Sequence, residues 1–244
     1  MDSRYIHRSE DHRYTFDGVT YPGVTSILKV LDKSDGLMAW AAKLAAEAAV
    51  DMAQQGALMP LLESVGRDGT IKALTSRSGY KRDEAAALGS RVHELADALV
   101  TGRELPAMSE QVMRRVDRYA EWWAAAGWRV RVSEALLINP GVGYGGTLDL
   151  LAYDRDGRTV LADLKTGRLY KEAVLQLAAY SRATWAESDG ALYAMPKVDR
   201  YVLLNVTDDG VREVEVSVGE LELEAWSACL QISRWVESMK GKRL

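Results

Sequence analysis

The feature that most constrains this chain is a change of hydrophobic period at Gly127. Before it, Leu88, Val92, Leu95 and Leu99 recur at 4-3-4 spacing, which predicts a helix over 83–100 with one apolar stripe. Residues 109–126 repeat the pattern, with Val112, Val116, Tyr119 and Trp123 on one side, Gly127 as the stop, and Arg114, Arg115 and Arg118 as the solvated side. The alanine-rich stretch 37–53 also has high helix propensity. After Gly127, β-branched residues and partial alternation predict strands over 128–138, 147–153 and 159–165, then a helix over 170–187. A hairpin over 201–206 and 211–216 and a closing helix over 221–239 follow. Near the start, Tyr14 to Tyr21 reads as a hairpin around Asp17–Gly18, with Thr25 or Ser26 capping a short helix. Gly56, Pro60, Gly66, Gly69 and Gly79 predict broken helices and mobile loops over 54–80.

This order specifies an α/β or α+β chain with one central sheet behind a helical part. Without a repeat, a low-complexity tract or a Pro/Ser linker, a single domain over 1–244 is expected, helical over 1–127 and sheet-based over 128–244. Met1–Asp2–Ser3–Arg4–Tyr5 has no apolar core, so export by a signal peptide is not expected, nor is any apolar run long enough to enter a membrane. The lone Cys229 excludes an internal disulfide framework and a four-cysteine iron–sulfur cluster. A net charge of −4 argues against coating nucleic acid by bulk charge and leaves room for a local basic groove.

The chemistry concentrates around Asp149, Asp163 and Lys165. Asp163 and Lys165 lie two apart on a strand, so they share a face, and they end the apolar run Val160–Leu161–Ala162. Register decides whether Asp149 joins them. A two-residue loop at Asp156–Gly157 would put the aspartates on opposite faces. A three-residue loop, Arg155–Asp156–Gly157, sets Gly157 at the left-handed position after a type I turn and Asp149 opposite Asp163. The odd-length loop is expected. Carboxylates roughly 5 Å apart at Cβ repel unless a cation lies between them, and a hard ion such as Mg²⁺ or Mn²⁺ suits oxygen ligands. Two carboxylates and a lysine around such an ion make a site for phosphodiester hydrolysis.

Gly146–Thr147–Leu148–Asp149, Asp163–Leu164–Lys165–Thr166–Gly167 and Gln176–Leu177–Ala178–Ala179–Tyr180 resemble, in that order, the motifs of the PD-(D/E)xK nuclease superfamily. They are most similar to its RecB-like branch, which includes CRISPR-adaptation nucleases, mitochondrial genome-maintenance exonucleases and phage exonucleases. Gly89–Ser90–Arg91–Val92–His93 is similar to the Gly-x-x-x-His entry of that branch, and Tyr21–Pro22–Gly23–Val24–Thr25–Ser26–Ile27–Leu28 to its Pro-Ser-Val-Thr-x-Ile-Leu opening. The resemblance implies a restriction-endonuclease-like core, a mixed central sheet flanked by helices. It implies a metal held by His93, Asp149, Asp163 and the Leu164 carbonyl, with Lys165 catalytic. It also implies Glu134 as a second-metal or water-mediated ligand, Gln176 supporting the lysine or a water, and Tyr180 touching DNA. The cysteine count departs from branch members that carry an iron–sulfur cluster.

Phosphates are gripped by Lys, Arg, hydroxyls and backbone amides, and unpaired bases stack on aromatics. Thr25, Ser26, Arg77, Lys81, Arg82 and Arg91 are the candidate phosphate contacts, and Trp40, Tyr80 and Tyr170 the candidate stacking rings. The expectation is a metal-dependent DNA exonuclease acting on ends or single strands in recombination, replication or repair. The resemblance implies a bacterial or phage-infected cytoplasm as its setting, and a recombination or annealing protein as a possible partner. A silent nuclease-fold scaffold and a structure-specific endonuclease are the rival expectations.

Overall fold

A computed structural model describes residues 5–31 and 34–242; the Met1–Arg4 start and Arg243 lie outside them. The chain divides into two compact units, residues 1–31 with 89–244, and residues 32–88.

The second unit is helical. α2 (Ser34–Gln54) is followed by the N-terminal part of α3 (Leu58–Val100), the rest of which belongs to the first unit. The expectation of broken helices over 54–80 holds at residues 55–57, between α2 and α3, and at Gly66, where two helices meet across a kink; the rest of the stretch is helix and not loop. Pro60 lies in the first turn, where its missing N–H has no helical acceptor to lose. Gly79 costs about 1 kcal/mol against alanine yet leaves the helix intact, whereas at Gly69 a Cβ would lie 2.8 Å from the Val65 side chain, so the kink needs glycine there. The backbone departs from helix only at Gly66 (φ 70°, ψ 179°), whose carbonyl accepts from Thr70 Oγ1 at 2.8 Å.

The first unit opens on strands β1 (His7–Arg8), β2 (Arg13–Phe16) and β3 (Val19–Pro22), which form a small antiparallel sheet. The β2–β3 turn is Asp17–Gly18, both with positive φ, as an Asp-Gly hairpin requires. α1 (Val24–Ile27) is capped at Gly23 and not by the Thr25 or Ser26 hydroxyl. After α3 comes α4 (Glu110–Ala126), with the Ser109 side chain accepting from Val112 N and Gly127 closing it at φ 64°.

The sheet strands are β4 (Arg129–Asn139), β5 (Tyr144–Tyr153), β6 (Thr159–Lys165), β7 (Trp185–Ser188), β8 (Ala191–Ala194), β9 (Arg200–Thr207) and β10 (Gly210–Val216). They form one seven-stranded sheet ordered β10-β9-β6-β5-β4-β7-β8. Only the β6–β9 pair is parallel, so the sheet is mixed. α5 (Glu172–Ser181) follows β6, and α6 (Glu220–Met239) closes the chain.

The helix expected over 170–187 ends at Ser181. Trp185, Ala186 and Glu187 instead pair with Ile138, Leu137 and Leu136 on the free edge of β4. Asp189 (φ 51°) and Gly190 (φ 74°) then turn the chain back as β8. The backbone groups of a buried sheet edge need partners, and this demand outweighs local helix propensity.

Side-chain alternation divides the sheet into two faces. Leu151, Leu161 and Leu203 join Ala173 and Leu177 of α5 and Trp226 and Leu230 of α6 in one buried cluster. Leu150, Ala162 and Leu204 line a pocket with His93, Ala96 and Asp97 of α3 and Tyr119 of α4. Each fully buried leucine contributes roughly 1.5–3 kcal/mol, so this layering is strongly favoured over a slipped register.

Candidate functional site

The β5–β6 hairpin has the expected odd loop. Asp154 N donates to Arg158 O at 3.1 Å, leaving Arg155–Asp156–Gly157 as the turn, with Gly157 at φ 79°. The ladder runs Tyr153↔Thr159, Ala152↔Val160, Leu151↔Leu161, Leu150↔Ala162, so one more step sets Asp149 opposite Asp163.

Three elements converge on this point. His93 comes from α3, where Gly89 lets the helix approach; a Cβ there would lie 3.2 Å from Thr166 Oγ1. Its Nδ1 is 3.5 Å from Asp149 Oδ2 and 3.9 Å from Glu134 Oε1. Among the described residues, His93, Glu134 and Asp149 bring ligand atoms within 4.8 Å of one another. Glu134 thus stands in one group with His93 and Asp149, and Asp163 lies outside that group. Glu134 arrives there through a left-handed backbone (φ 51°), a conformation that costs a side-chain-bearing residue on the order of 1 kcal/mol. The Leu164 N–H donates to Asp149 Oδ2 at 2.6 Å.

Asp163 is 1% exposed on its side chain and sits 2.6 Å from Lys165 Nζ. Lys165 thus serves Oδ2 as a charged partner, while Asp163 Oδ1 is buried with no hydrogen-bond donor among the described residues. A buried carboxylate with one oxygen unpartnered, together with two more carboxylates and an imidazole, is a donor set that fits a divalent cation.

The crowded groups shift one another's ionisation. Burial and the neighbouring Asp149 raise Asp163 to about 6, although Lys165 opposes this. Burial also raises Glu134 above the usual carboxylate range against the pull of His93. Burial disfavours the His93 imidazolium, but Asp149 and Glu134 overcome it and push the ring up to about 10. Lys165 likewise stays charged because Asp163 and Asp149 outweigh its desolvation.

On α5, Gln176 Oε1 accepts from Lys165 Nζ at 3.4 Å while Gln176 Nε2 donates to Tyr180 OH at 2.9 Å. Tyr180 is 3% exposed, so it supports Gln176 from the core, a correction to its expected contact with DNA. Gly146 makes this possible, since a Cβ there would lie 2.5 Å from the Tyr180 ring.

The expected phosphate contacts are dispersed. Thr25 is exposed and Ser26 half-buried on α1. Arg77 pairs with Asp51, Lys81 with Glu84 and Arg82 with Asp83, all within residues 32–88; Arg91 pairs with Glu94 on the His93 helix. Each of these four cations therefore faces a carboxylate, and they do not make an unpaired basic row. Trp40, Tyr80 and Tyr170 are exposed, and Arg168 lies over the Tyr170 ring at 5.6 Å.

Arg115 departs from expectation in the other direction. Its side chain is 13% exposed, with Nε 2.7 Å from Asp208 Oδ1 and Nη1 donating to the Thr166 carbonyl at 2.9 Å. Its sequence signal was faint: it falls three residues after Val112 and four before Tyr119, beside the buried stripe of α4.

A mixed sheet carrying acidic residues and a lysine on adjacent strands, with a histidine from a flanking helix, defines a metal-dependent nuclease core. The sequence model of the PD-(D/E)XK nuclease superfamily matches residues 61–239, and the chain belongs to that superfamily. Among the described residues, the His93, Glu134 and Asp149 cluster is the group that could hold the divalent metal such a nuclease core uses. Among solved structures, "Crystal structure of SSO0001" is similar at 16% identity and a TM-score of 0.31, over 51% of this chain and 58% of that one. This chain thus spans somewhat more than half of that protein. No curated protein matches. No helix among the described residues is long and apolar enough to cross a membrane.

Proposed function

We propose that this chain is a DNA exonuclease using Mg²⁺ or Mn²⁺, acting on ends or single strands in recombination, replication or repair. The observation that carries the catalytic reading is the Lys165–Asp163 ion pair beside the His93, Glu134 and Asp149 cluster. The exonuclease preference rests on the likeness of the ordered motifs to the RecB-like branch.

His93, Glu134 and Asp149, joined by Asp163, would hold the ion. When bound, it supplies Lewis acidity toward the phosphate and a water of lowered pKa. The Lys165 ammonium then faces charge developing on the phosphate oxygens in a half-buried site. Gln176 orients that ammonium, and Tyr180 fixes Gln176.

Degradation of end-labelled linear DNA against a covalently closed circle tests this reading, with each metal and after chelation. Linear DNA should be consumed only with metal, the circle spared, and Asp163→Ala and Lys165→Ala should abolish turnover. Cleavage of the circle would make it an endonuclease. Metal-independent binding without cleavage would make it a scaffold.

A further inference from the structure

β6 loses one of its two neighbours where its chemistry begins. Its ladder to β5 ends at Leu150↔Ala162, while its ladder to β9 continues to Lys165↔Asn205. Two side chains then collect the three carbonyls that follow. Asn205 Nδ2 donates to Lys165 O at 3.2 Å and to Gly167 O at 2.7 Å. Arg115 Nη1 donates to Thr166 O at 2.9 Å while its Nε donates to Asp208 at 2.7 Å. A guanidinium serves both acceptors because its donors are fixed in a planar fork, which a lysine ammonium lacks.

We propose that Arg115 and Asn205 are positioning residues that clamp the end of β6 and so fix the Lys165 ammonium against Asp163 and Gln176. The proposal rests on the catalytic reading of Lys165. The clamp grips backbone and acts on the reaction through Lys165. A strand end free to shift by about 1 Å lowers turnover on the order of 100-fold, while the affinity for DNA is set elsewhere. The signature is a loss in kcat with KM preserved.

Steady-state kinetics on linear DNA, with melting temperatures measured alongside, test it. The variants are Arg115→Ala, Arg115→Lys, Asn205→Ala, the Arg115→Ala/Asn205→Ala pair, Asp208→Ala and Lys165→Ala. Arg200→Ala serves as a stability control: it breaks the ion network with Asp154, Glu213 and Glu215 where β9 meets Val160, at the far end of β6 from Lys165. Arg115→Ala and Asn205→Ala should lower kcat roughly 10- to 100-fold with KM within about twofold. Arg115→Lys and Asp208→Ala, which keep part of the clamp, should fall between these and the parent. The Arg115→Ala/Asn205→Ala double variant should lose less than the product of the two, since both act through one lysine. Arg200→Ala should lose stability and keep kcat. Unchanged kcat in Arg115→Ala, or equal losses in Arg115→Ala and Arg200→Ala at matched destabilisation, would overturn the clamp. Full activity in Lys165→Ala would instead overturn the catalytic reading on which the clamp depends. If Arg115→Ala does not fold, Asp208→Ala carries the test: unchanged kcat there would overturn it.

Discussion

Replacing Gly146 with alanine should couple a packing defect to a catalytic one. The added Cβ would lie 2.5 Å from Tyr180 Cε1, 3.2 Å from Cδ1 and 3.4 Å from Cζ. Carbon atoms pack at roughly 3.5–4.0 Å, so the ring must retreat by about 1 Å from a core position that is 3% exposed. Overpacking of this kind costs about 1–3 kcal/mol. Loss of glycine entropy in the unfolded chain returns about 0.4–1 kcal/mol. A net loss on the order of 1–2 kcal/mol corresponds to a fall in melting temperature of roughly 2–8 °C at this chain length. The ring also carries Gln176, and through it Lys165, so kcat should drop while KM stays near the parent value. Urea and thermal unfolding measure the first effect, single-turnover cleavage the second. A Tyr180→Leu background, which vacates the space, should cut the cost of Gly146→Ala by a measurable coupling energy. A Gly146→Ala protein as stable as the parent would refute the reasoning, because entropy alone would then describe the site.

Glu134→Gly separates stability from function. It relieves a left-handed backbone and a half-buried carboxylate, so the metal-free protein should melt no lower than the parent, while the concentration of Mn²⁺ needed for half-maximal cleavage rises. A destabilised variant with unchanged metal dependence would contradict this. Asp154 governs part of the acid limb of stability. Burial opposes its ionisation, but the Arg158 amide and the Arg200 and Arg158 guanidinium groups hold its carboxyl below the usual range. A depressed carboxyl contributes stability above the unfolded value near ~3.9, lost as pH falls through the folded value. Asp154→Asn should therefore be less stable at neutral pH and show a shallower fall in urea midpoint below about pH 4; parallel curves would count against it.

Much of the site was legible because its determinants are local. Glycine takes the left-handed backbone at little cost, so Gly157 at the third loop position favoured the three-residue loop, and with it the facing of Asp149 and Asp163. β6 was read over 159–165 from its apolar run, and α4 from its apolar stripe and its Gly127 stop. The β7–β8 hairpin was not legible, although Asp189–Gly190 carries a turn signal, because the claim on residues 185–187 comes from the edge of β4, more than 40 positions earlier. Nor was the role of Tyr180, whose aromatic ring reads alike at a surface or in a core until Gly146 is brought against it.

The sequence by itself determined the switch from helical to strand period, the odd hairpin loop, and the order of the acidic, lysine and glutamine motifs. These depend on φ/ψ preference and on spacing along one element, and both are written in consecutive residues. Tertiary structure decided which groups meet. It moved Glu134 beside His93 through a left-handed residue, buried Tyr180, and turned Arg115 from a surface charge into a clamp on β6. Those outcomes depend on distance between elements, and Arg115 and Thr166, 51 positions apart, share no local signal that they will touch.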